Sequence, residues 1–401
     1  MQRNLGPLIS RAVAVPAVAM ACFGIAGPAS AAPHVPVSDA DVLEKLPARA
    51  SDGRFREVRE LRNQLNADPR NLEIALRVAQ LYFDLAGAEG DPRYVGYAQA
   101  ALAPWWSLAN PPESVLVTRA LLRQYRHEFQ GALDDVALAL ERQPHDAQAL
   151  ALRAAISMVM ARYDAAADAC RALAVEAREV GQVCLANVTS LNADGRAGLA
   201  AMIAALRAST ALPREQKVWL WSRAAETADR LDDAATAEKY YREALAFGLS
   251  DAYLEAAYAD FLLDHNRPRE VVALLKDKTR SDPLLLRLAL AEKKLGAAEF
   301  EAHRQALAAR FDAARQRGDK LHLGEEARFT LELAGDPPAA LRIALENWAD
   351  QREPRDARVV LETALAAKNP QAATNVLAWY RDNHIVSPRM ARLIDALGAH
   401  G

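Results

Sequence analysis

The chain has little of what enzymes usually build their sites from. Its eight histidines and three cysteines are scattered through 401 residues. No H-E-x-x-H, G-x-S-x-G, Walker loop or G-x-G-x-x-G occurs, which leaves zinc hydrolysis, serine-type acyl transfer and nucleotide chemistry without a motif. No metal and no cofactor is therefore expected. An excess of one charge is missing too: 49 Lys and Arg stand against 52 Asp and Glu, a net charge of −3. Without a basic stripe nothing can neutralise a phosphate backbone, so nucleic acid is excluded as a partner. The Val/Ile/Thr alternation that announces strands is absent. No uninterrupted apolar run reaches the roughly 20 residues that cross a bilayer. Apolar residues are nonetheless 51% of the chain and charged ones 25%, the balance of a soluble protein with a long core.

The first residues are of a different kind. Arg3 and Arg11 appear before any acid, an apolar run extends from Ala12 to Ile25, and Gly27, Pro28, Ala29, Ser30, Ala31 and Ala32 follow. A basic start, a short apolar centre broken by Pro16, and an Ala-x-Ala site are the three parts of a secretory signal peptide. Residues 1–31 are read as that signal, cleaved between Ala31 and Ala32. The mature protein is expected to be exported, to the periplasm in a cell of Gram-negative type, with no transmembrane span. Ala19-Met20-Ala21-Cys22 offers an alternative, a lipoprotein box whose Cys22 would carry a lipid tether. It lacks the usual leucine, and Phe23 and Ile25 follow where a polar tether belongs. Residues 32–50, with Pro33, Pro36 and Pro47, read as a flexible lead-in.

From residue 51 onward the chain reads as helix: Ala, Leu, Arg and Glu dominate, and apolar residues recur three and four apart. Turn signals at Asp68-Pro69, Asn110-Pro111-Pro112, Gln143-Pro144, Asp282-Pro283, Asp336-Pro337 and Asn369-Pro370 cut it into short hairpins. The hairpins keep a register. Ala120, Ala154 and Val188 stand 34 apart, as do Ala98, Ala132, Ala166 and Ala200. Three extra residues near Leu212-Pro213-Arg214 shift the frame, after which Ala225 and Ala259, and Ala237 and Val271, are again 34 apart. Small residues recur in each first helix (Ala79, Ala120, Ala154, Ala225, Ala259), where a bulky side chain would push the neighbour away. Each second helix brings a small residue and a larger one four later: Ala132 with Val136, Ala166 with Cys170, Ala237 with Tyr241.

The run Tyr240-Tyr241-Arg242-Glu243-Ala244-Leu245, and Ala139-Leu140 followed by Pro144, resembles the end of the tetratricopeptide signature, and 34 residues is that family's period. The chain is thus similar to tetratricopeptide repeat proteins of the exported bacterial type. The similarity is closest over residues 51–283, and residues 284–401 read as degenerate helical repeats with a C-terminal cap. It departs in having Ala where the family often has Gly, and in lacking the closing Pro of several units. The resemblance implies an all-α fold, a right-handed superhelical solenoid of about eight or nine hairpins, capped near Phe55 to Leu65 and near Pro388 to Leu397. A long helix is expected from Phe300 to Arg317. Pro337-Pro338 and Pro370 should open second helices, where a missing amide costs nothing.

Such arrays bind rather than catalyse. The resemblance implies a concave groove lined by first helices. In the unit from Lys217, Trp219, Glu226, Asp229 and Arg230 share one helix face while Trp221 and Ala225 fall on the packing face. In the next unit Tyr253, Asp260 and Asp264 repeat the placement. Aromatics beside acids suit an extended or helical segment carrying Lys or Arg; equally open is the reading in which Trp219 and Tyr253 cover the gap between hairpins while the acids are solvated. Earlier units offer the more neutral Gln148, Met158, Gln182 and Asn192; Trp105-Trp106, at a helix end, cannot both point into one core, and core packing with loop cover is expected of them, an exposed contact by one of the two being the alternative. His322 with Glu325 and Glu326, and the pairs Asp134-Asp135 and Asp232-Asp233, read as solvated surface rather than as a metal or catalytic site. The expected function is a non-enzymatic exported scaffold that holds an envelope protein or peptide in its groove. The alternative is a cell-wall or polysaccharide-associated protein or enzyme with a lytic-transglycosylase-like superhelix. That enzyme needs a catalytic Glu followed by Ser, and the sequence offers only Glu113-Ser114, at the start of an ordinary repeat helix.

Two cysteines remain once the signal is removed. The register places Cys170 and Cys184 at packing positions on neighbouring helices. A disulfide, as an oxidising compartment favours, and two buried thiols filling core space both remain open.

Overall fold

The computed structural model describes residues 53–191, 195–209 and 212–399. The signal segment with its Ala31/Ala32 site, Cys22, the lead-in at 32–50 and Asn192 lie outside the described residues. Every regular element among the described residues is helical. A leading helix α1 (Gly53–Ala67) is followed by α2 (Leu72–Glu89) and α3 (Arg93–Ala101), and a single turn α4 (Ala103–Trp106) precedes α5 (Glu113–Tyr125) and α6 (Phe129–Arg142). Then come α7 (Ala147–Val159) with α8 (Tyr163–Glu176), α9 (Arg178–Thr189) with α10 (Gly195–Ala208), and α11 (Arg214–Arg230) with α12 (Ala234–Leu245). The second half pairs α13 (Ala252–Asp264) with α14 (Pro268–Leu275) and α15 (Asp282–Leu295) with α16 (Phe300–Gln316). It continues with α17 (Leu323–Phe329), α18 (Pro337–Asp350), α19 (Pro354–Ala366), α20 (Thr374–Asp382) and α21 (Pro388–Ala399).

The small residues of the register explain the stacking. Ala79, Ala120, Ala154, Ala225 and Ala259 are all buried, as are Ala98, Ala132, Ala166, Ala237 and Val271, so first and second helices meet where the side chains are shortest. The hairpin turns repeat as well. His127 and Ala161, 34 residues apart, and Asp232 and Asn266, again 34 apart, each adopt positive φ at the same point of their turns. Asp146, Asp233, Asp251 and Asp336 cap the following helices by accepting a hydrogen bond from the backbone three residues on.

The register fails in α10. Ala200 is exposed there, and the close approach to α9 is made by Gly198, where a Cβ would lie 2.7 Å from the Ser190 backbone. A glycine replaces the alanine two residues early, and α10 turns its buried face to Gly198, Leu199 and Met202. Two further expectations need correction. Asp135 is not solvated surface: it is buried on α6 and paired with Arg119 of α5, while Asp134 is exposed. Glu326 is buried against Arg315, whereas Glu325 turns the other way to Arg287. One helical turn thus sends its two carboxylates to different arginines.

The disposition of the last third matters most for function. One apolar core runs without a break from Val183 through residue 283 to Leu333. A second core joins Leu323 and Ala327 to α18, α19, α20 and α21, and from outside these helices it takes in Leu191, with Met158, Ala161 and Tyr163 at its margin. Between the two cores α17 runs into a π-helical turn, Thr330–Ala334, that ends at the left-handed Gly335. The C-terminal helices then return to the middle of the solenoid. Arg352 N–H donates to the Val159 carbonyl at 2.8 Å, Val386 N–H to the Leu191 carbonyl at 3.0 Å, and Trp379 Nε1 to the Tyr163 hydroxyl at 3.1 Å. The helix Pro388–Ala399 is therefore more than the terminal cap expected of it, because its arginines reach back to α11 and α13.

Candidate functional site: the inner face of the first helices

Arg223, Glu226, Asp229 and Arg230 of α11 and Tyr253, Asp260 and Asp264 of α13 lie on the face that meets α15, α17, α19 and α21. At its open end Trp219 is 43% exposed, and the Arg223 guanidinium lies 5.9 Å from its ring centre. The same guanidinium stands 4.4 Å from the Tyr253 ring, and Arg355 of α19 stands 5.3 Å from it, so both cations use the π-face of one tyrosine. The Tyr253 hydroxyl donates to Glu226, Arg223 faces Glu226 at 3.0 Å, and Arg355 pairs with Glu353 at 2.7 Å. Burial drives the Tyr253 hydroxyl well above its ordinary value, with Arg223 opposing and Glu226 reinforcing, so it acts as a neutral donor.

Deeper along the face the acids are matched by arginines. Asp260 accepts from Arg287 Nη2 and from Arg328 Nη1, each at 2.7 Å. Burial alone would raise its pKa, but these two cations hold its carboxyl well below the usual range. Asp264 receives both Nη1 and Nη2 of Arg358, at 2.6 and 2.7 Å, and also Arg389. Asp229 has only a longer approach to Arg389, at 3.8 Å. Burial pushes its pKa up to about 6, with Arg389 opposing and Asp264 adding to the rise. Arg230 is turned inward, donating to the Ser190 and Val386 carbonyls at 2.5 and 2.6 Å.

Three buried nitrogens near this face have no hydrogen-bond partner: Arg223 Nε, His265 Nε2 and His322 Nε2. Beside it a cavity of about 520 Å³ opens between the α5–α6 turn and the C-terminal helices, lined by Tyr125, His127, Lys320, Asn347 and Gln351 among others. Burial lowers the His127 pKa to about 4, helped by His322 and Arg355, so the ring is neutral near pH 7. No group of three His, Cys, Asp or Glu among the described residues could hold a metal.

Of the seven residues expected to form the groove, the structure gathers all on neighbouring helices. Six of them already have intrachain partners, and Trp219 stays open. The sequence reading missed Arg223, Arg287, Arg328, Glu353, Arg355, Arg358 and Arg389. For Arg355 and Arg358, and for Arg389 and Arg392, the only local signal was an arginine pair three residues apart early in a helix. Gln148 and Gln182 are exposed and Met158 half-buried against the C-terminal core. Trp105 and Trp106 are both half-buried against the apolar residues of α2 and α3, with the Trp106 carbonyl accepting from Arg119 at 2.6 Å. Cys170 and Cys184 are joined by a disulfide with Cα atoms 5.5 Å apart. Gly181 makes that approach feasible, because a Cβ there would overlap the Ala174 backbone of α8.

No protein-family model matches the chain, and neither does any curated protein. Among solved structures it resembles a Rap protein complexed with competence and sporulation factor, with 13% identity over 86% of this chain and 93% of that one, at a TM-score of 0.44. It also resembles yeast Tom70, with 11% identity over 86% and 95% of the two chains, at a TM-score of 0.35. A third is the anaphase-promoting-complex assembly Cut9-Hcn1, with 12% identity over 86% of each chain, at 0.31. Over its described residues the protein is an all-helical, tetratricopeptide-like solenoid, as its own period and hairpins require.

Proposed function

We propose that the protein is a non-catalytic, exported scaffold that holds a protein or peptide partner of the bacterial envelope on the inner face of its first helices. One observation carries the reading. Trp219 and Arg355 stand accessible at the open end of that face, Trp219 43% and the Arg355 side chain 50% exposed, over the half-buried Arg223 and Tyr253. Trp, Tyr and Arg are the residues that dominate binding energy at protein interfaces. Glu226 and Glu353 add acceptors beside them. A peptide backbone supplies both donors and acceptors to such a surface. Export is supported by the make-up of residues 1–31 and by the Cys170–Cys184 disulfide, a bond that persists in oxidising compartments.

The test is capture from envelope extract under mild cross-linking, using the wild type, Trp219→Ala and Trp219→Glu. A defined protein held by the wild type and lost by both variants, at unchanged melting temperature, is the expected result. Equal capture by all three would overturn the reading, as would retention on murein with release of muropeptides. Intact mass of the periplasmic form should begin at Ala32. A chain beginning at an acylated Cys22 would replace the free form with a tethered one.

A further inference from the structure

The cavity of about 520 Å³ beside the inner face shares no lining residue with the Trp219 end of that face, and its volume is that of a site for a whole small ligand. Its wall comes from α3, the turn between α5 and α6, the loop between α16 and α17, and the end of α18. Val95, Leu323, Asn347 and Gln351 are buried in it, whereas Arg126, Asp319 and Lys320 stand exposed at its mouth. Several side chains of the wall keep hydrogen-bonding capacity that the fold does not use. Asn347 gives Nδ2 to Asp356 at 3.0 Å and Gln351 turns Nε2 to Glu353 at 3.4 Å, and among the described residues no donor takes the amide oxygen of either. The Tyr125 hydroxyl and the His127 ring nitrogens likewise have no hydrogen-bond partner among the described residues. Both rings are nonetheless fixed, Tyr125 edge-on to Phe83 at 6.0 Å and His127 stacked on Phe129 at 5.3 Å, so the groups are held in place before a ligand arrives. Both are uncharged near pH 7: burial pushes the Tyr125 hydroxyl up to about 12 and lowers His127 to about 4.

The charges of the wall are largely engaged. Arg126 holds Glu128 at 3.0 Å and Gln99 at 2.6 Å, Lys320 holds Glu346 at 2.8 Å, and Arg317 lies 3.9 Å from Asp319. An anionic ligand would find each of these cations taken, and a cationic one would meet Asp350 out at the exposed mouth. A purely apolar ligand would strand the amide oxygens, the phenol and the imidazole without water. The fitting ligand is uncharged and carries hydrogen-bonding groups on several sides. Hydroxyls meet that need, because each one both donates and accepts. Peptide groups point to opposite sides of an extended chain, whereas a sugar ring carries hydroxyls all round its edge and an apolar face for Val95 and Leu323. We propose that this cavity is a sugar-binding site, separate from the protein-binding face, in which Asn347 and Gln351 accept from ring hydroxyls while Tyr125 and His127 bond beside them. Gly96 of α3 agrees with this. A Cβ there would meet nothing within 4 Å, so packing does not call for a glycine inside this helix, which it weakens, and the missing side chain leaves the cavity open. A sugar held here ties α3 and the α5–α6 turn to α18, and so joins early units to late ones.

The experiment is calorimetric titration of the full mature chain with glucose, galactose, mannose and N-acetylglucosamine, with glucuronate and glucosamine as charged analogues. At least one of the neutral sugars should bind saturably at millimolar concentration or below, and the charged analogues more weakly. Tyr125→Phe removes a hydroxyl and keeps the ring, and should weaken that binding about three- to tenfold. Gly96→Leu fills the open space and should abolish binding, with a melting temperature unchanged or raised because leucine is the better helix former. Maltotetraose and the tetramer of N-acetylglucosamine separate the two sources of such a ring: binding as tight as the monosaccharide's assigns the site to the end of a glycan, and binding of the monosaccharide alone assigns it to a free sugar. The proposal is overturned if none of the neutral sugars binds, if glucuronate or glucosamine binds more tightly than they do, or if Tyr125→Phe and Gly96→Leu both bind as the wild type does. Trp219→Ala should take the sugar with unchanged affinity while losing envelope capture, so the sugar site and the scaffold reading stand or fall separately.

Discussion

Asp135 offers a direct test of how the early units are held. Its side chain is 5% exposed and accepts three bonds: from Arg119 Nε at 2.9 Å, Arg119 Nη2 at 2.6 Å and Arg123 Nη1 at 2.7 Å. Arg119 spends its remaining nitrogen on the carbonyls of Trp106 and Leu108. Asp135→Ala leaves the Arg119 guanidinium buried without its counter-charge, a loss of about 3–5 kcal/mol. The double replacement Arg119→Met with Asp135→Leu removes both charges and fills similar volume, and should recover most of that loss, because paired burial costs desolvation on both sides. In a solenoid each unit contacts chiefly its neighbours, so the damage should be local. Native-state hydrogen exchange should show α5 and α6 amides opening about two to four orders of magnitude faster in Asp135→Ala, with α19 and α21 unaffected. An acceleration below about tenfold, or one spread evenly to the C-terminal helices, would refute the reasoning.

The Cys170–Cys184 bond spans a sequence separation of 14 residues. Its reduction should cost on the order of 3 kcal/mol, read as a lower denaturant midpoint with reductant; an unmoved midpoint would show that Gly181 packing alone holds α8 to α9. Gly181→Val should force the two helices apart, and alkylation of the non-reduced protein should then find two free thiols, whereas complete protection would contradict the close approach. Asp229 has a carboxyl raised on folding from 3.8 to about 6, with Arg389, Arg358, Asp264 and His265 facing it. Its contribution is present below pH 4 and lost as pH rises through about 6. Asp229→Asn should therefore stabilise the protein at pH 7 by roughly 1–2 kcal/mol and flatten the melting curve's pH dependence between 4 and 6; a variant as pH-sensitive as the wild type would contradict this. Ala161, at φ 57 in its hairpin turn, should tolerate glycine with a melting temperature raised or unchanged, and a clear drop would mean the turn is held by something other than backbone geometry.

The hairpins were legible because their cause is local. Ala at 34-residue intervals sets how close two helices can lie, and a capping aspartate or proline sets where they begin. The sequence also brought the inner-face residues of α11 and α13 onto one side, since a helix repeats every 3.6 residues. What it could not show was what meets them. Arg358 and Arg389 lie 94 and 125 residues from Asp264, and nothing near Asp264 in the chain marks it as taken. Asp135 was misread for a related reason. Its buried state depends on Arg119 in the preceding helix, and paired acids on a helix look solvated until the partner is placed. Gly198 in place of Ala200 shows the limit of a strict period, because a residue with no side chain can shift the point of closest approach.

The most direct test of the central claim is photo-cross-linking in intact cells, with the reactive side chain placed once at Trp219 and once at Val175 of α8, which is 79% exposed. The account predicts that Trp219 captures one envelope protein, and that Val175 captures nothing in common with it. The same partner at Val175, or only intrachain products at Trp219, would contradict a binding role for the inner face.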